Sequence, residues 1–141
     1  MSTFNISNIN KSIAYNLNPQ SLAFVGDAVF SLYIRQRIVV SNDLKPNAEH
    51  KLTTDFVKAS GQSEIIKAIE KILTEEELRL YKRARNYKTN NIAKNAKVVD
   101  YKRATGFEAL LGYLYLIGNM DRLTEIMQIG YEAIASKETK C

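Results

Sequence analysis

The residues of this 141-residue chain best suited to chemistry are two carboxylates set among apolar neighbours. Asp27 stands inside "SLAFVGDAVF", residues 21–30, and Glu108 is the single charge in "ATGFEALLGYLYL", residues 104–116. A carboxylate is costly to remove from water unless it is paired or binds a metal. Each acid has a glycine close by, Gly26 and Gly112. Glycine inside a helix costs about 1 kcal/mol relative to alanine, so a glycine kept there marks close approach by another backbone. Two helices crossing at these glycines would bring Asp27 and Glu108 together. Facing carboxylates repel at neutral pH. A shared proton, a neighbouring Lys or Arg, or a hard divalent cation can compensate. Mg2+ needs only one or two protein carboxylates and keeps several waters, which matches the acids on offer. The alternative is that each acid serves separately, capping a backbone group or pairing with its own base.

Charge distribution bears on that choice. Between Lys82 and Arg103 lie eight basic residues, Lys82, Arg83, Arg85, Lys88, Lys94, Lys97, Lys102 and Arg103, and one acid, Asp100. That segment carries +7 and leaves −2 for the other 119 residues, within a formal net charge of +5. A basic stripe on a slightly acidic body reads as a docking surface for an anion, because a merely solvated helix face interleaves both signs. The stripe feeds directly into the helix of Glu108. Phosphates on the stripe and a metal at the acids describe metal-assisted phosphodiester cleavage, which requires no histidine or serine nucleophile.

Other chemistry finds little support. Neither GxxxxGK[ST] nor GxGxxG occurs, so nucleotide-binding loops are absent. His50 is the only histidine, which excludes a His-based metal cluster; in "PNAEHKL" it reads as a surface residue near a helix start, with a phosphate or 2′-hydroxyl contact as the alternative. Tyr113 and Tyr115 read as core or interface positions rather than base-stacking platforms. The one cysteine, Cys141, excludes an internal disulfide framework and a Cys-rich zinc site, and fits a reducing cytoplasm. No stretch is apolar for long enough to span a bilayer, and "MSTFNISNINKS" lacks the basic head and apolar block of a secretory signal.

The elements that must hold these groups read as all-α, a bundle of about seven helices in one domain over residues 1–141, with a core over about 8–136. A short helix covers residues 8–15. Asn18 as N-cap with Pro19 at the first helical position opens a long helix to about Val39. A third runs from Pro46 or Asn47 to about Ala59, where Gly61 breaks it from "SEIIKAIEKIL". Thr74 and Glu77 form a capping box that opens "EEELRLYKRARN". After the polar stretch "YKTNNIAKNAK", a helix resumes near Val98 and reaches Ile117, with Gly118 as C-cap and Asn119 as the next N-cap. The last helix covers about residues 120–136.

These motifs resemble a known family. "SLAFVGDAVF" resembles the signature helix of ribonuclease III catalytic domains, and "TGFEALLGYLYL" resembles their second metal-binding helix. The runs "YIRQRIVVSNDLKPNAEHKLTTDFVKASGQ" and "RARN…KNAKVVDYKRATGFEALLGYLYL" look like the stand-alone mini-ribonuclease III branch. The resemblance implies an all-helical endoribonuclease that cuts double-stranded RNA with Mg2+ as a cytoplasmic homodimer, its two active sites along a basic valley. It implies a role in trimming precursor large-subunit ribosomal RNA in bacteria. It also implies that no double-stranded RNA-binding domain accompanies the catalytic one. The signature aspartate falls on Asp27 and the late glutamate on Glu108, as catalytic and metal-holding residues. The apolar contact across the dimer falls at Phe24. The RNA grip falls on the loop at about residues 85–97, and with its flanks comprises Lys82, Arg83, Arg85, Asn86, Lys88, Lys94, Asn95 and Lys97. Larger relatives carry further acids where this chain has Ala23 and Thr105, so a second ion, if the reaction needs one, would have to arrive with the phosphate. The competing expectations are a non-catalytic helical RNA-binding or ribosome-associated protein, and a purely structural helical dimer.

Overall fold

A computed structural model describes residues 8–41, 45–88 and 97–138. Seven α-helices follow one another among them: α1 (Lys11–Tyr15), α2 (Pro19–Ser41), α3 (Pro46–Val57), α4 (Ala59–Ile69), α5 (Glu75–Arg85), α6 (Val98–Leu116) and α7 (Met120–Glu138). A 3-10 turn, Glu70–Ile72, links α4 to α5, and the described residues contain no strand. The fold is all-α, as the spacing of apolar residues predicts.

Local chemistry sets the boundaries. Asn10 caps α1 by accepting the Ser12 amide, so this helix starts later than the sequence spacing predicts. Asn18 Oδ1 accepts the Gln20 amide at 2.8 Å, with Pro19 opening α2. Thr74 and Glu77 form the reciprocal capping box of α5. At the end of α6, Gly118 adopts a φ of 78°; its amide bonds to Tyr115 O and the Asn119 amide to Leu114 O, closing the helix. Gly61 departs from expectation. The break between α3 and α4 falls at Lys58, whose backbone is extended, and Gly61 lies inside α4. A Cβ at Gly61 would stand 2.7 Å from Asp55 O and 2.9 Å from Phe56 O, so glycine serves close approach of the two helices there.

Helix α6 is the axis of the molecule. Its residues from Ala104 to Leu114 are buried on nearly every side, as befits a helix without a polar face. Helices α2, α4, α5 and α7 pack around it. Phe30 of α2 meets Phe107 of α6 edge-on, with ring centroids 5.2 Å apart. Tyr131 of α7 stacks on Phe56 of α3 at 5.0 Å, and the Arg37 guanidinium covers its other neighbourhood 4.5 Å from the ring centre. Arg122 of α7 bonds to both oxygens of the buried Glu77 and to Ile72 O, tying α7 to the start of α5. Burial alone would push the Glu77 carboxyl up; the Arg122 and Thr74 hydrogen bonds overcome that and hold it below its usual value. None of the helices is long and apolar enough, over the described residues, to cross a membrane.

Among the described residues, one face of α2 is left without a partner. Phe24 is 81% exposed and Leu32 53% exposed, four residues apart in pairs with Ala28 between them on one stripe. They line an apolar groove of about 650 Å³ between α2 and α7, with Tyr115, Met120 and Met127 on its other wall.

Candidate active site

The crossing of α2 and α6 builds the site. At Gly26 an added Cβ would lie 1.7 Å from the Glu108 carbonyl oxygen and 2.9 Å from the Gly112 nitrogen. At Gly112 it would lie 2.0 Å from the Leu22 carbonyl oxygen. The two backbones touch, so no side chain larger than hydrogen fits at either position. The residues next to this crossing, Asp27 on α2 and Glu108 on α6, meet there, and their carboxyl groups hydrogen-bond to each other.

That bond requires one proton between two carboxyl groups. Burial, the hydrogen bond with Asp27 and the Asp27 charge push the Glu108 carboxyl from 4.5 up to about 9, while a hydrogen bond from Gln62 opposes the rise. No Lys or Arg among the described residues forms an ion pair with either acid. Of the three ways to compensate facing carboxylates, a proton kept on Glu108 is the one that its raised value describes. Asp27 itself lies at the surface, a correction to the expectation that its apolar run encloses it. The run is apolar on two faces for two reasons: Leu22, Gly26 and Phe30 face the core, and Phe24, Ala28 and Leu32 face the groove. Asp27 lines the mouth of that groove.

The other predicted residues fall into separate places. Lys82, Asn86, Lys88 and Lys97 are exposed, and Arg85 is half-exposed over the Tyr81 ring. They surround the end of α5 and the start of α6. Val98 lies ten residues before Glu108, so the basic end of α6 stands roughly 15 Å along the axis from the acid pair. Gly106 fixes the two helices together, since a Cβ there would be 2.6 Å from the Tyr81 ring. Arg83 is different: its guanidinium donates to Tyr15 O and lies 4.4 Å from the Tyr15 ring centre, where it pins α1 to α5. Lys94 and Asn95 lie outside the described residues. His50 is exposed on α3, beside Arg35 and Glu49. Tyr113 is buried and donates to Glu76 Oε1 at 2.5 Å; burial, and then Glu76, raise its hydroxyl well above the usual range. Ala23 is buried, and the Thr105 hydroxyl donates to Tyr101 O, so neither adds a ligand to the acids. No group of three or more His, Cys, Asp or Glu side chains converges anywhere in the described residues.

A model of the Ribonuclease III domain matches residues 20–119. The chain belongs to the ribonuclease III family. Mini-ribonuclease 3 of Clostridium tetani is 50% identical over 114 residues, 80% of this chain and 76% of that one. Mini-ribonuclease 3 of a Thermoanaerobacter species is 46% identical over 126 residues, 89% of both chains. A crystal structure of a protein from Fusobacterium nucleatum matches with a TM-score of 0.74 at 32% identity, over 83% of this chain and 93% of that one. Within the ribonuclease III family the chain falls in the mini-ribonuclease 3 branch, and it is an endoribonuclease. The ribonuclease III match spans α2 to the end of α6 and so includes both acids and both crossing glycines. One residue of this candidate site escaped the sequence reading. Gln62, buried in α4, reaches Glu108 Oε2 at 3.2 Å. Its setting in "ASGQSEIIK" is that of any polar residue in an amphipathic helix, so the sequence carries no signal for it.

Proposed function

We propose that the chain cleaves double-stranded RNA with the help of Mg2+, as a cytoplasmic homodimer, and that its substrate in bacteria is precursor large-subunit ribosomal RNA. The observation that carries the reading is the meeting of Asp27 and Glu108 at the Gly26–Gly112 crossing. Two carboxyl groups, one pushed far above its usual value, form a donor set that fits a hard dication keeping most of its waters. Asp27 and Glu108 would hold the ion, giving up their shared proton as it binds. When bound, the ion supplies a nucleophile at neutral pH and stabilises charge on the phosphate under attack.

The chain's own residues do the rest. Lys82, Arg85, Lys88 and Lys97, with Lys94 of the intervening segment, grip the backbone phosphates, and Asn86 and Asn95 bond to sugar or phosphate oxygens. Such contacts read duplex shape more than sequence. Arg83 supports this grip indirectly, by anchoring α1 against α5. The homodimer is supported by the exposed Phe24 stripe beside the groove, and Phe24 is the contact proposed to cross it. A two-fold pairing through this face would place both acid pairs on one assembly.

The test is incubation with end-labelled duplex RNA in Mg2+ or in EDTA. Cleavage in Mg2+ alone is expected, and none with Asp27→Asn, whose RNA binding persists. Cleavage at the normal rate by Asp27→Asn removes that acid from the reaction. For the cellular role, cells lacking the chain should accumulate large-subunit ribosomal RNA precursors with untrimmed ends; normal ends would refute that part.

A further inference from the structure

We propose that Gln62 is a positioning residue for Glu108: its side-chain amide fixes the orientation in which that carboxylate is offered to the cation. The proposal rests on the metal-site reading above. Gln62 is 2% exposed. Its amide nitrogen donates to Val57 O at 2.7 Å and to Glu108 Oε2 at 3.2 Å. Turning the amide over would set its oxygen against the Val57 carbonyl, so the sense of the amide is determined by its surroundings. The remaining amide oxygen is buried and has no hydrogen-bond partner among the described residues. An unsatisfied buried oxygen carries a free-energy cost. A residue present only to fill space would be Leu or Met, which occupy similar volume without that cost. What the amide supplies instead is a donor aimed at one carboxylate oxygen.

The brace is stiff because its other end is backbone. Val57 ends α3, and Lys58 turns the chain into α4. Gly61 lets this corner close, with the Asp55 and Phe56 carbonyls against it. The Gln62 nitrogen is thus suspended between a fixed carbonyl and Glu108. On the far side Glu108 meets Asp27, so its carboxyl group is held from two directions and cannot turn freely about its last bond. Without the amide, Glu108 keeps its place on α6 but loses the bond that orients its oxygens.

The experiment compares Gln62→Met with the parent chain, using Glu108→Gln as control. Mn2+ binding to the RNA-free protein is read by electron paramagnetic resonance, alongside kcat and KM on duplex RNA. For Gln62→Met the expected result is Mn2+ binding weakened about tenfold, the lower end of what outer partners of metal ligands contribute. At sub-saturating metal kcat should fall while KM for RNA stays within about twofold, because the phosphate contacts lie elsewhere. A role in packing alone would lower the melting temperature and leave Mn2+ affinity where it was; that outcome overturns the proposal. If Glu108→Gln also binds Mn2+ normally, the metal-site reading has failed and this proposal fails with it. If Glu108→Gln loses Mn2+ while Gln62→Met keeps it, only the proposal falls. Should Gln62→Met not fold, Gln62→Asn, which retracts the amide by one methylene, carries the same expectation.

Discussion

Glu108→Gln should make the metal-free protein more stable at pH 8 while removing cleavage. The wild-type carboxyl group is pushed from 4.5 up to about 9 in the folded chain. Below pH 4.5 the folded and unfolded states both hold the proton, so pH has no effect through this group. Between about 4.5 and 9 the unfolded chain releases the proton and the folded chain keeps it. Rising pH therefore favours the unfolded state across that window, and the loss is complete above it. Each pKa unit is worth about 1.36 kcal/mol, so at pH 8 the ceiling is about 5 kcal/mol. Glu108 keeps some contact with water, and screening brings a realistic figure to roughly 2 kcal/mol. Glutamine is uncharged in both states. Its amide can donate to Asp27 and its oxygen can accept from Gln62, reproducing the protonated acid. The variant should melt roughly 4–8 °C higher than wild type at pH 8 in EDTA, with no difference at pH 4. Differential scanning calorimetry across this range gives the comparison. A difference in melting temperature that does not grow with pH would refute the coupling of the two acids.

Three further expectations follow from the packing and the charges. Gly26→Ala places a methyl 1.7 Å from the Glu108 carbonyl oxygen; forcing the helices apart should cost more than about 3 kcal/mol, seen as loss of a cooperative melt. Replacing both Lys82 and Lys88 with Ala should reduce the slope of log binding constant against log salt by about 0.9 per lost phosphate contact, measured by filter binding to duplex RNA. Arg122→Ala leaves the buried Glu77 unpaired and should cost about 3 kcal/mol in urea unfolding at pH 7. Because the Glu77 carboxyl is held below 4.5, the wild-type advantage should be present above that pH and fade as pH falls through it.

Much of the site was legible because it breaks local rules. A lone acid in an apolar helix and a glycine in its interior are both unfavourable without a reason, and each helix carries both. The crossing could be inferred from that pairing alone. The starts of α2 and α5 were legible from Asn18 with Pro19 and from Thr74 with Glu77, since capping is local chemistry. What stayed hidden depends on which way a side chain turns. Gln62 and Gln20 look alike in sequence, yet one is buried against Glu108 and the other exposed. Arg83 sits among exposed cations by position but turns inward onto Tyr15. Gly61 looked like a helix breaker because glycine permits both a break and a close contact, and only the neighbouring carbonyls decide which. Asp27 looked enclosed because an apolar stripe made for an outside surface cannot be told from one made for the core by composition.

The backbone contact at Gly26 and Gly112 has a consequence for how this enzyme tolerates change. The gap between its two acids is gauged by main chain against main chain, like the jaws of a fixed spanner. Drift in the bulk of surrounding core side chains can therefore accumulate without resetting the gauge. Substitutions elsewhere in the bundle would leave the spacing of the acid pair unchanged, provided those two small residues stayed hydrogen-sized.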